Sequence, residues 1–177
     1  MDLYGTIELL ALVFNLAYVI LAIYQNVWCW PAGLVGAGFT LLVFLDARLY
    51  GAMALQVVFA TLMVYGWYEW RYGGDEGGGL AVARTPTRWR LMLVVAGVIF
   101  AVTFGFFLKV RTDAALPFWD AGTTSFSLVA QFMTTRKWLG NWLLWIVVDA
   151  VFVGMFVSQQ LHFFAVLYII YIIPKCS

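Results

Sequence analysis

Apolar residues in this chain come in blocks of helical length, broken by short polar punctuation, rather than in the every-second-residue alternation of strands. About 20 residues cross the hydrocarbon of a bilayer as a helix. On that measure the runs predict seven spans, near Leu3–Tyr24, Trp28–Leu45, Tyr50–Trp70, Leu91–Leu108, Phe118–Thr134, Trp138–Val157 and Leu161–Ile173. The missing alternation excludes a closed β-barrel. Polar residues inside these runs keep helical spacing. Asp120, Thr124, Ser127 and Gln131 follow one another at steps of four, three and four along the fifth run, and so share a stripe. Asn141, Trp145 and Asp149 share a face of the sixth, with Trp142 beside them. Glu8 and Asn15 lie seven apart in the first, and Gln56 is the amide of the third.

Composition turns the helical reading into a membrane reading. With 64% hydrophobic and 11% charged residues, and a mean hydropathy of +0.92, there is more apolar surface than one soluble core hides. A net charge of +1 argues against nucleic acid as a partner. Two cysteines, Cys29 and Cys176, are too few for a disulfide framework or a structural zinc site, and His162 stands alone, so neither metal nor cofactor is expected. Met1-Asp2 is acidic and no small-residue cleavage site follows the first run, which is therefore expected to be a retained helix.

Cationic residues orient the spans. Arg71, Arg84, Arg88, Arg90, Arg136, Lys137 and Lys175 fall on one side, and Arg48, Lys109 and Arg111 on the other. The positive-inside rule then puts the N-terminus outside and the C-terminus in the cytoplasm. The long loop from Arg71 to Arg90, rich in glycine, reads as a flexible cytoplasmic linker.

Two faint repeats organise the chain. Asn26-Val27-Trp28-Cys29-Trp30 matches Asn141-Trp142-Leu143-Leu144-Trp145, and Leu49-Tyr50 echoes Leu161-His162. Two three-span units of equal orientation need one inverting helix between them. The expected architecture is all-α, seven transmembrane helices as two parallel three-helix bundles joined by a linker helix. The first bundle would occupy 1–71, the loop 72–90, the linker helix 91–109 and the second bundle 110–177. In such folds the solute site lies at the midplane between repeats.

A carboxylate near the middle of a span costs about 2.5–3.5 kcal/mol on insertion scales, so Asp149 is expected to face a cavity, a partner or a ligand. Serines and threonines taken singly are explained by helix–helix hydrogen bonding, and Glu8 and Asp120 by nearness to span ends. Most tryptophans belong to the aromatic belt at span ends. Trp30, Trp142 and Trp145 cluster with amides instead, and indole faces beside a carboxylate suit a planar cation, each contact being worth about 0.5–2 kcal/mol.

The segments Gln25-Asn26-Val27-Trp28-Cys29-Trp30-Pro31-Ala32-Gly33, Tyr65-Gly66-Trp67-Tyr68-Glu69-Trp70, Phe118-Trp119-Asp120-Ala121 and Arg136-Lys137, followed by Asn141-Trp142-Leu143-Leu144-Trp145-Ile146-Val147, resemble the PnuC family of vitamin transporters over nearly the whole chain. The resemblance implies a bacterial inner-membrane carrier of nicotinamide riboside with the three-plus-one-plus-three fold, usually a homotrimer. It also implies facilitated diffusion, with a cytoplasmic kinase trapping the substrate. Trp142-x-x-Trp145 occupies the place of that family's site motif, with Gln131 on the neighbouring helix. On this reading Trp142, Trp145 and Trp30 clamp an aromatic ring, Asp149 balances its charge, and Gln131, Asn141 and Thr124 hold a ribose or its equivalent.

Asp149 stands where many relatives carry an amide, which suits a pyridinium or another cationic vitamin such as thiamine. The seventh run is short against the ~17 residues of a span. A counterpart of Tyr65–Trp70 would begin near Ser177, which predicts a truncated or altered terminus. The rival readings are a membrane enzyme using Asp149 and Asp120 as acid and base, which lacks a nucleophile–base pair, and an assembly subunit whose polar stripes only bind neighbouring helices.

Overall fold

The structure, a computed structural model, describes residues 3–46, 50–74, 79–112, 116–158 and 168–169, with side chains except at 3–5, 8, 43–46, 50–54, 156 and 158. Among the described residues six α-helices form: α1 (Leu3–Ile23), α2 (Cys29–Asp46), α3 (Tyr50–Tyr72), α4 (Thr87–Arg111), α5 (Pro117–Thr135) and α6 (Gly140–Ser158). All six lie within four residues of predicted runs, and the all-helical expectation holds. The only extended pairing among the described residues is an isolated bridge between Ala83 and Trp138. The seventh run, with His162, lies outside the described residues except for Tyr168 and Ile169, which are helical. The Tyr168 ring meets Phe152 with centroids 4.9 Å apart.

The helices satisfy their own polar groups, as chain in hydrocarbon must. Threonine hydroxyls bond back one turn, Thr61 to the Val57 carbonyl at 2.9 Å, Thr103 to Ile99 at 2.9 Å and Thr123 to Trp119 at 3.0 Å. Pro117 opens α5 at a position whose N–H would have had no helical partner. The 25 residues of α4 span about 37 Å, and among the described residues this is the helix long and apolar enough to cross a bilayer by length and composition.

Two compact units divide the chain, Met1–Ala81 and Val82–Ser177. In the first, α2 packs on α1 and α3, and its glycines let side chains approach closely. Gly33 lies under the Tyr18 ring and the Met63 sulfur, and Gly36 under Asn15. Asn15 Nδ2 donates to Thr40 Oγ1 at 3.2 Å, and that hydroxyl donates to the Gly36 carbonyl at 2.9 Å. Trp30 is fully buried, edge-on to Trp70 at 5.2 Å and tilted against Tyr18 at 6.0 Å. Its ring occupies the space where a Cβ on Gly66 would stand.

In the second unit α5 packs on α4 and α6. Gly97 and Gly105 are the buried points of α4, beneath Phe126 and Phe118 respectively. Ser125 Oγ donates to the Gly97 carbonyl at 2.7 Å, a close crossing that small residues permit. The rest of α4 carries exposed Leu91, Val94, Val98, Ile99, Phe106 and Val110.

The α1–α2 and α5–α6 turns have the same backbone. Asn26 N–H bonds the Leu21 carbonyl at 2.9 Å and Gln25 N–H bonds Ala22 at 3.0 Å; Trp138 bonds Met133 at 3.1 Å and Lys137 bonds Thr134 at 3.0 Å. Both are Schellman closures, and both place a non-glycine residue at positive φ, Gln25 at 54° and Lys137 at 51°. The following bonds also correspond, Cys29 to Asn26 at 3.0 Å with Asn141 to Trp138 at 3.0 Å, and Trp30 to Val27 at 3.3 Å with Trp142 to Leu139 at 3.3 Å. Residue n of the first copy therefore corresponds to n+112 of the second, and the ends of α1 and α2, Ile23 and Asp46, fall on those of α5 and α6, Thr135 and Ser158. This register corrects the alignment of Asn26 with Asn141: Asn26 corresponds to Trp138, Cys29 to Asn141 and Trp30 to Trp142. It has the same offset as the echo of Leu49-Tyr50 in Leu161-His162, of which Leu49, Leu161 and His162 lie outside the described residues.

The loop read as a flexible linker is helical at both ends, α3 reaching Tyr72 and α4 starting at Thr87. Before α4 it is held to the α5–α6 turn: Ala83 N–H bonds the Lys137 carbonyl at 3.1 Å and Leu139 N–H bonds Ala83 at 3.0 Å. Trp89 stacks at an angle on Phe132 at 6.1 Å and on Trp138 at 5.6 Å.

Glycine substitutions test this packing. Gly66→Ala should destabilise the detergent-purified protein by about 1–3 kcal/mol, because the Trp30 ring cannot move aside. Gly154→Ala, in open space, should change the thermal unfolding midpoint little or raise it.

Candidate solute-binding site

The second unit buries an unusual set of side chains. On α5 the covered residues are Thr123, Ser125, Ser127, Gln131, Thr134 and Thr135, interleaved with Ala121, Ala130 and Met133. Meanwhile large apolar residues such as Phe118 and Trp119 are exposed. A helix with its polar side inward and its apolar side outward suits hydrocarbon as solvent, with the polar side lining a protein interior. The predicted stripe is covered from its middle down: Asp120 is exposed, Thr124 half-buried, and Ser127 and Gln131 are buried, Gln131 to 2% exposure.

On α6 the periodicity is borne out by burial. Asn141, Val148 and Asp149 are each 3% exposed, and Trp142 and Trp145 are half-buried. Leu143 and Val147 cover the opposite face, Leu143 being 69% exposed. Asn141 sits in the first turn of α6, where its Nδ2 donates to the Trp138 carbonyl at 2.8 Å. Its Oδ1 is buried without a hydrogen-bond partner, an acceptor left open at a cost of about 1–3 kcal/mol if nothing ever meets it. Trp145 Nε1 donates across to Thr134 Oγ1 on α5 at 3.3 Å. Gly140 gives α6 its start against Thr85 and Met133.

The α5–α6 pair thus brings Asn141, Trp145 and Asp149 onto one covered face of α6, and Gln131 with Thr134 onto the covered face of α5. Trp30 belongs to the other unit, enclosed by Tyr18, Trp70 and Gly66, with its Nε1 buried and lacking a hydrogen-bond partner. Gln56 also lies there, half-buried beside a largely apolar cavity of about 320 Å³ lined by Leu34, Ala37, Val57 and Val64. The Glu8 side chain is outside the described residues. Sequence reasoning missed Thr134 and Ser125. The available signal was Thr134 at i+3 from Gln131, passed over because it falls at the predicted span end.

Corresponding positions in the two copies differ systematically. Ala11, Ala22, Cys29 and Ala37 are buried in the first, and Thr123, Thr134, Asn141 and Asp149 are buried at the corresponding places in the second. One backbone plan carries a small apolar lining once and a polar lining once.

Such a chain, apolar outside and polar within, has the make-up of a helical membrane carrier for a small polar solute. Its fold matches the crystal structure of the vitamin B3 transporter PnuC with a TM-score of 0.75 at 21% identity, covering 97% of this chain and 78% of that one. It is 27% identical over 189 residues to the nicotinamide riboside transporter PnuC of Escherichia coli K12, covering 93% of this chain and 79% of that protein. It is 25% identical over 150 residues to the riboflavin/roseoflavin transporter RibM of Streptomyces davaonensis, covering 83% and 70%. The profile of the nicotinamide mononucleotide transporter family matches residues 5–176, and the chain belongs to that family. It is a membrane transporter and not an enzyme.

The facing of α6 is open to measurement in lipid. Nitroxides on Leu143→Cys and Val147→Cys should collide freely with dissolved oxygen. One on Val148→Cys should be protected several-fold, and equal accessibility around the helix would contradict the burial described.

Proposed function

We propose that the chain carries nicotinamide riboside across the bacterial inner membrane by facilitated diffusion, with alternating access to a site built on α5 and α6. The observation that carries this reading is Asp149, 3% exposed and on the same helix face as Trp145 and Asn141. A buried carboxylate favours a cation, indoles favour a flat one, and the riboside of a pyridinium is both. Trp142 and Trp145 stack on the ring, Asp149 balances its charge, and Gln131, Asn141 and Thr124 hold the sugar. The similarity to PnuC transporters over most of the chain supports the same substrate.

The finer architecture belongs to the same proposal: seven helices in a three-plus-one-plus-three order, N-terminus periplasmic and C-terminus cytoplasmic. So do assembly in the bilayer as a homotrimer and trapping of the solute by a cytoplasmic kinase. A second reading, riboflavin uptake, is favoured by the likeness to RibM. Asp149 discriminates the two, because the flavin ring carries no positive charge for a buried carboxylate to balance.

Uptake into proteoliposomes tests both. Labelled nicotinamide riboside should enter vesicles carrying the parent protein, and Trp145→Ala should lower uptake at subsaturating solute by about tenfold or more. Asp149→Asn should weaken competition by nicotinamide riboside or thiamine while leaving competition by riboflavin unchanged. Parent-level uptake by Trp145→Ala would remove the site assignment. Riboflavin competing best, with no effect of Asp149→Asn, would favour the second reading.

A further inference from the structure

We propose that Thr134 is a positioning residue for the solute site, fixing the Trp145 indole by accepting its Nε1–H. This inference rests on the reading of Trp145 as a solute contact. The bond crosses from α6 to α5 at 3.3 Å. Thr134 is itself held at both ends, since its hydroxyl donates to the Ala130 carbonyl at 2.9 Å and its own carbonyl accepts the Lys137 N–H at 3.0 Å in the turn closure. A hydroxyl has one proton to give and lone pairs to spare, so the donation to Ala130 fixes the rotamer and leaves a lone pair for the indole. The acceptor is 2% exposed, out of competition with bulk water.

The internal repeat supplies an independent argument. At the corresponding places the first copy has Ala22 for Thr134 and Gly33 for Trp145, and both are buried. The hydroxyl is present in the copy that has the indole, and both are lacking in the copy that fills this space with Tyr18 and Met63 beside Gly33. Alanine at Ala22 also shows that the backbone plan accepts the smaller residue there. An indole free to turn about its side-chain bonds presents its face to a ring in a fraction of its conformations. Pinning Nε1 removes that loss, so the effect is on affinity rather than on the rate of the conformational cycle.

The test is a double-mutant cycle read as KM and maximal rate for nicotinamide riboside uptake in proteoliposomes, on protein monodisperse in detergent. Thr134→Ala and Thr134→Val remove the acceptor, Thr134→Ser restores it, and Trp145→Phe keeps a ring while removing the donor. The two variants lacking the acceptor should raise KM about three- to tenfold, the worth of one hydrogen bond, with little change in maximal rate. Thr134→Ser should stay within about twofold of the parent, and adding Thr134→Val to Trp145→Phe should have no further effect. Independent effects in the double variant, or an unchanged KM in both Thr134→Ala and Thr134→Val while Trp145→Ala impairs uptake, would overturn the positioning role alone. An unchanged KM in Trp145→Ala would overturn the site assignment and this proposal with it.

Discussion

Asp149 is a costly side chain to accommodate in a span, and the second unit keeps it and its polar neighbours covered. A charged group at the centre of a span costs several kcal/mol unless it meets water, a partner or a ligand. Here it is buried on the face of α6 that also carries Asn141, with Leu143 and Val147 on the opposite side. The α5 helix answers with Ser127, Gln131 and Thr134 turned inward. Threonine hydroxyls return their protons to the backbone one turn earlier, so they bring acceptors into the interior without stranding donors. Glycines at the α4 crossing let α5 come close enough to cover that interior.

The internal repeat gives this arrangement a reference. Matched turn closures at Gln25 and Lys137 show that the two copies share backbone geometry down to single hydrogen bonds. Their linings differ as alanine and cysteine differ from threonine, asparagine and aspartate. The first copy closes over Trp30, with Tyr18, Trp70 and the bare Cα of Gly66 around the ring. The second leaves Trp142 and Trp145 half-buried and the Asn141 Oδ1 acceptor open. One scaffold carries small apolar side chains once and polar ones once.

Much of this was legible in the sequence, for identifiable reasons. Helix positions follow from apolar runs of bilayer length, and the polar face of α6 from a spacing of four that only a helix brings together. The repeat register was misread at the tryptophans, because Trp142 and Trp145 lie nearly one turn apart and either aligns with Trp30 in an apolar background. Backbone bonds at the turns decide between them, in the register that the echo of Leu49-Tyr50 in Leu161-His162 already has. Residues 82–85 look like an untethered loop until Ala83 is seen bonded to Lys137 and Leu139. Thr134 was passed over because a hydroxyl near a span end has an ordinary explanation; its role depends on what lies across from it on α6.

The central claim is that the polar face of the second copy holds the solute. A cryo-electron microscopy map of the protein in lipid nanodiscs with saturating nicotinamide riboside tests it most directly. The account predicts density for the pyridinium ring against Trp145 and within reach of Asp149, with the ribose toward Gln131 and Asn141. Density instead in the cavity beside Gln56, or a solute-bound map with the α5–α6 face closed and empty, would contradict it.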